Sequence, residues 1–71
     1  MYYVYILRSK IDKSLYIGCT GDLRKRFEFH NRGKVFATKN KLPWQLLYYE
    51  AFLSKKDAFA RESSIMLHAQ G

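Results

Sequence analysis

Residues 2–8 read Tyr-Tyr-Val-Tyr-Ile-Leu-Arg. Aromatic and β-branched side chains favour extended backbone, so this run predicts a strand. Both of its faces are apolar, which places the strand at the centre of a sheet. Ser9 to Lys13 is polar and predicts a turn. Ser14-Leu15-Tyr16-Ile17-Gly18 predicts a second strand, with Leu15 and Ile17 on one face and Tyr16 on the other. So short a connection makes the two an antiparallel hairpin.

Downstream, Thr20 is a candidate N-cap for a helix from about Gly21 to Arg32, with Asp22 favourable to the dipole in the first turn. Gly33 is a good helix stop. Residues 33–43 are basic, lack periodicity and end at Pro43, which predicts a loop. Trp44 to Phe52 has the composition of a third strand. Ser54, with Asp57 three residues on, resembles a capping box and opens a second helix from about Lys55 to His68. The expected order is ββαβα, an α+β class. Residues 1–71 are expected to form one domain, without repeat, low-complexity segment or linker.

Composition narrows the function. A chain of 71 residues buries only about 60% of the surface its unfolded form exposes. Its core should supply about 3–5 kcal/mol. Hydrophobic residues make up 48% of the chain, enough for folding. Cys19 is the one cysteine, so neither an intramolecular disulfide nor a cysteine-rich zinc site is expected. No apolar run approaches the roughly 18–20 residues of a membrane span. The first residues lack the basic and small-residue features of a signal peptide, and the expected compartment is a reducing cytoplasm.

Charge is distributed unevenly. The net charge is +7, and residues 8–41 hold ten of the thirteen Lys and Arg against three acids. The remainder sums to zero. So concentrated a positive segment suggests a polyanionic partner, with nucleic acid the leading candidate. Arg24, Lys25, Arg32, Lys34, Lys39 and Lys41 are the expected phosphate contacts. A basic surface kept only for solubility is the alternative.

Each predicted helix carries an anomaly. At 100° per residue, Leu23, Phe27 and His30 form the apolar stripe of the first, with Arg26 at its edge. In the second, Ala58, Glu62, Ile65 and Ala69 share a stripe, and Glu62 is its only charge. A carboxylate on a packing face is costly unless paired, hydrogen-bonded or metal-bound. The plain readings are a hydrogen-bonded core histidine, a solvated arginine and an ordinary salt bridge. Tyr5 and Tyr16 lie on adjacent strands, where tyrosines are mostly packing residues. Trp44 is expected to be a core anchor.

Taken together and in order, these residues form a pattern. Tyr3-Val4-Tyr5, ten residues, Tyr16-Ile17-Gly18, then Thr20-x-Asp22-Leu23-x-x-Arg26-x-x-x-His30-Asn31, then Ala60-Arg61-Glu62-x-x-Ile65: this resembles the GIY-YIG nuclease superfamily. It is most similar to the short single-domain bacterial branch, related to the N-terminal domain of the excinuclease C subunit. The resemblance implies a three-stranded antiparallel sheet flanked by helices. It also implies metal-dependent cleavage of DNA phosphodiester bonds, with Mg2+ or Mn2+, in repair or recombination. By the same resemblance Tyr5 matches a general base or water-positioning tyrosine. Tyr16 matches a second motif tyrosine near the scissile phosphate. Arg26 matches an arginine that stabilises phosphate charge, and His30 a position that contacts the phosphate region. Glu62 matches the sole protein metal ligand. Tyr3 departs from the first glycine of the motif, and Cys19 stands where some members carry lysine. A non-catalytic nucleic-acid-binding module of the same fold is the alternative function.

Overall fold

The central strand, β1 (Tyr2–Ser9), is flanked by β2 (Leu15–Thr20) and β3 (Trp44–Phe52) in the order β2-β1-β3, all antiparallel. The structure is a computed structural model and describes residues 1–69. Helix α1 (Leu23–Asn31) connects β2 to β3, and α2 (Lys55–Ala69) follows β3. The side chain of Ala69 lies outside the described residues. The ββαβα order and the central place of β1 agree with the apolar character of residues 2–7.

Residues directly opposite on antiparallel neighbours share a face. Tyr5 pairs with Gly18 and Tyr49, and Leu7 with Tyr16 and Leu46. On this face Tyr5, Leu7 and Trp44 are buried, packed by Tyr16, Leu46, Leu42 and, from α1, Leu23 and Phe27. Val4 points the other way, opposite Cys19. There α2 lies against all three strands, and Val4 and Ala58 are sealed from solvent. Leu47 is an extra residue in β3, a bulge between the Ile6–Tyr48 and Leu7–Leu46 pairs that restores the inward direction of Leu46.

Helix α1 starts two residues later than expected. Asp22, not Thr20, is its N-cap: the carboxylate accepts the Lys25 N–H at 3.1 Å. Thr20 ends β2 and its hydroxyl accepts the Asp22 N–H at 3.1 Å. Both are good capping residues, and the extra hydrogen bond holds residues 20–22 in a turn that the helix cannot absorb. At the other end, Gly33 takes φ +73°. Its N–H reaches His30 O at 3.2 Å, and the Lys34 N–H reaches Phe29 O at 3.0 Å. This reciprocal pair closes the helix, and a side chain at position 33 would be strained. Ser54 caps α2 as expected, accepting the Asp57 N–H at 3.3 Å.

Candidate active site

The site is built around a glycine. A Cβ at Gly18 would overlap the ring and hydroxyl of Tyr5. Its absence lets the Tyr5 ring lie across β2, an edge strand. Tyr5 is 1% exposed. Its hydroxyl lies 2.9 Å from His30 Nε2, and His30 Nδ1 lies 2.8 Å from Thr38 Oγ1. Thr38 Oγ1 in turn donates to Val35 O at 3.4 Å. One proton arrangement gives every hydroxyl an acceptor: Tyr5 donates to Nε2, and Nδ1–H donates to Thr38. The imidazole is therefore neutral. Burial holds its pKa down at about 4, and the nearby Arg26 charge adds to that.

His30 is 0% exposed. It was expected at the phosphate; its ring lies instead beneath Tyr5 and Tyr16, with centroids 5.8 and 5.0 Å away. Tyr5 and Tyr16 are themselves 6.4 Å apart. Tyr16 and Arg26 are half-buried and open to solvent. The cluster thus has a sealed floor, Tyr5 and His30, beneath an open tier.

Arg26 and Glu62, on different helices, both bear on the charge of the Tyr5 phenol. Burial pushes the Tyr5 phenol above its ordinary pKa; the Arg26 guanidinium beside it pulls the other way, and the charges of Tyr16 and Glu62 add to the rise. The Glu62 carboxylate also raises the Cys19 thiol, although burial is the larger cause there and Lys55 opposes it. The Glu62 charge thus bears on Tyr5 on one face of the sheet and on Cys19 on the other. Glu62 is half-buried, and burial alone raises its pKa. Among the described residues neither Glu62 nor Arg26 makes an ion pair. The neighbouring Arg61 does, holding Glu50 of β3 at 2.7 Å and fastening α2 to the sheet.

Among the described residues no three His, Cys, Asp or Glu gather as a metal cage. Glu62 alone suits a hard divalent cation that retains most of its waters and takes one carboxylate from protein. The unpaired, partly desolvated state of this carboxylate fits such a role.

The expected phosphate contacts differ in freedom. Arg24, Lys25, Lys34 and Lys39 are exposed. Arg32 is exposed but lies 4.0 Å from Glu28. Lys41 is drawn back to Asp12 at 3.3 Å, tying the loop to the β1–β2 turn. Ser14 hydrogen bonds and Lys41 hold the Asp12 carboxyl well below the usual carboxylate range. A cavity of about 110 Å³ opens beside Arg26, between Thr20, Asp22, Lys25 and Phe29. A larger groove of about 480 Å³ lies on the other side of α1, between Arg24 and Tyr49, away from the Tyr5 cluster.

Sequence reasoning missed two supports. Thr38, in a loop without periodicity, is 0% exposed and orients His30. Asn31 clamps the start of β3, accepting the Trp44 N–H at 2.6 Å and donating to Trp44 O at 3.0 Å. A buried threonine inside a basic loop has no pattern to reveal it. Asn31 directly after His30, at the end of a helix, was the available signal.

Residues 1–70 match the family model described as the GIY-YIG catalytic domain. The chain belongs to the GIY-YIG family. It is also 48% identical over 62 residues to the UPF0213 protein SpyM3_1077 of Streptococcus pyogenes serotype M3. The same figures hold for the UPF0213 protein MGAS10750_Spy1258 of serotype M4. Each match covers 86% of this chain and 66% of the relative. This GIY-YIG chain thus spans about two thirds of the length of the curated relatives it matches, and their names state no activity. No solved structure matches it. GIY-YIG domains form a nuclease superfamily. No helix among the described residues is long and apolar enough to cross a membrane.

Proposed function

We propose that this chain is a metal-dependent DNA endonuclease domain, hydrolysing phosphodiester bonds with Mg2+ or Mn2+ at the Tyr5 cluster, in DNA repair or recombination in the cytoplasm. One observation carries the reading. Arg26 of α1 and Glu62 of α2 are 36 positions apart in the chain, yet the charges of both bear on the phenol of Tyr5, and among the described residues neither makes an ion pair.

Phosphodiester hydrolysis needs a barrier reduction of about 20 kcal/mol. Arg26 offers a planar, permanently charged donor to the developing phosphate charge. A cation held by Glu62 would supply Lewis-acid polarisation of the phosphate and leaving oxygen. Tyr16, half-buried in the open tier, would meet the phosphate or an attacking water. Tyr5, with its pKa raised and its proton donated to His30, keeps that proton at neutral pH. Its part is to position rather than to deprotonate. His30 and Thr38 hold the Tyr5 hydroxyl in one orientation. The exposed cations of α1 and the following loop grip backbone phosphates without reading sequence.

The test is to incubate the protein with plasmid or branched DNA and magnesium, beside Glu62→Ala and Arg26→Ala. Nicking by the native chain that both variants lose is the expected result. Retention of DNA without nicking by any of the three identifies a non-catalytic binding module. Neither nicking nor binding removes nucleic acid from the reading.

A further inference from the structure

The loop between α1 and β3 holds an aromatic residue that the site does not use. Phe36 is 84% exposed, close to the maximum for any large apolar side chain in this chain. It lies in a stretch, residues 32–41, with four cations and no acid. The Lys39 ammonium sits 4.6 Å from its ring centroid, over one face. With the ring so exposed, the other face is open to a flat partner.

The loop that carries Phe36 is anchored, two residues on, at Thr38. That residue is 0% exposed. Its N–H bonds Val35 O at 3.1 Å, its carbonyl accepts the Trp44 indole N–H at 2.9 Å, and its hydroxyl meets His30. Further along, Ser9 Oγ holds Lys41 O at 2.8 Å. The ring is thus carried on a loop pinned at Thr38, whose hydroxyl meets the same imidazole that holds Tyr5. A preorganised aromatic loses little conformational freedom on stacking.

We propose that Phe36 stacks on an unpaired base of DNA seated at the Tyr5–Arg26–Glu62 site, so that the chain prefers branched, flapped or bulged DNA to plain duplex. This rests on the nuclease reading and adds the substrate class. Base–aromatic stacking is worth a substantial factor per base. In intact duplex most of that gain is cancelled by the cost of unstacking a paired base, whereas a base already unpaired imposes no such cost. The surrounding cations bring phosphates to the ring and give no reason for an aromatic unless something flat accompanies them. A lipid surface is a different partner for an exposed Phe among lysines; the acid-free loop attracts both, but only DNA also has a use for the adjoining site.

The experiment compares the native chain, Phe36→Ala and Phe36→Trp, in EDTA so that nothing is cut. Anisotropy measures affinity for a short duplex and for the same duplex bearing a single-stranded flap. The native chain is expected to bind the flapped probe about tenfold more tightly. Phe36→Ala is expected to lose that preference while keeping duplex affinity, and to keep its melting temperature because the ring is exposed. Phe36→Trp is expected to keep the preference, with its emission quenched by the flapped probe. An unchanged preference in Phe36→Ala overturns the proposal even where DNA binding is intact. Quenching of Phe36→Trp by anionic phosphatidylglycerol vesicles and not by the flapped probe overturns it in favour of a membrane contact. Failure of the native chain to bind either probe overturns both this proposal and the nuclease reading.

Discussion

The Tyr5 hydroxyl and His30 Nε2 lie 2.9 Å apart where no solvent reaches the imidazole, and His30 is held neutral with a pKa of about 4. The unfolded chain binds a proton on this ring as pH falls below the ordinary value of about 6.5, while the folded chain resists until about 4. More protons on the unfolded state mean that stability rises with pH across this window. His30 therefore leaves stability whole above pH 6.5, removes up to about 3 kcal/mol as pH falls to 4, and removes no more below that. For a chain of this size that is most of its margin. Urea melts from pH 4 to 7.5 should show the slope, and His30→Gln should flatten it between pH 4.5 and 6.5.

Gly18→Ala tests the close approach of Tyr5 to β2. The new methyl group overlaps the tip of a buried ring whose hydroxyl is already committed to His30. Overpacking of this kind costs about 1–3 kcal/mol. Nicking should fall far more than the folded fraction does, because the ring that must move underlies Tyr16 and Arg26. Circular dichroism and plasmid nicking on the same samples separate the two. Full activity with unchanged stability would remove Tyr5 from the site.

Glu62→Ala should separate stability from activity in the opposite sense. Its carboxylate is partly desolvated, and no ion pair among the described residues compensates it. Removal is expected to be neutral or to stabilise the metal-free protein by up to about 1 kcal/mol, while abolishing nicking. Magnesium should raise the melting temperature of the native chain and leave that of the variant unchanged. A strongly destabilised variant would mean that Glu62 is a structural residue.

Asn31→Ala should loosen the entry to β3. Both polar atoms of Trp44's backbone lose their partner, and groups left unpaired typically cost about 1–2 kcal/mol. A melting temperature lowered by about 5–10 °C is expected.

DNA binding should depend steeply on salt. With about five phosphates neutralised, the log–log slope of affinity against salt is expected near −4.5. Lys41→Ala should change it least of the loop variants, since Lys41 is already paired with Asp12. A slope near zero would remove the basic surface from the argument.

Local pattern revealed most of this fold. The apolar run at residues 2–7 could be satisfied only by a central strand, and Trp44 to Phe52 matches β3 at both ends. The stripe of Leu23, Phe27 and His30 was visible from helical spacing alone. What escaped was set by contacts between distant segments. Thr20 and Asp22 are near-equal caps, and only the turn at the end of β2 decides between them. The depth of His30 depends on Thr38, eight residues away in a loop whose spacing carries no signal. Gly18 was legible as a motif letter, but its steric reason required the register that sets it opposite Tyr5.

The proposed working residues are drawn one apiece from separate segments: Tyr5 from β1, Tyr16 from β2, Arg26 from α1 and Glu62 from α2. A proteolytic fragment must span residues 5–62 to carry them all. A polypeptide emerging from the ribosome holds the arginine and both phenols but lacks its carboxylate until α2 is made. Dispersal along the chain thus acts as a safeguard: the proposed centre is assembled only when both helices have packed onto the sheet.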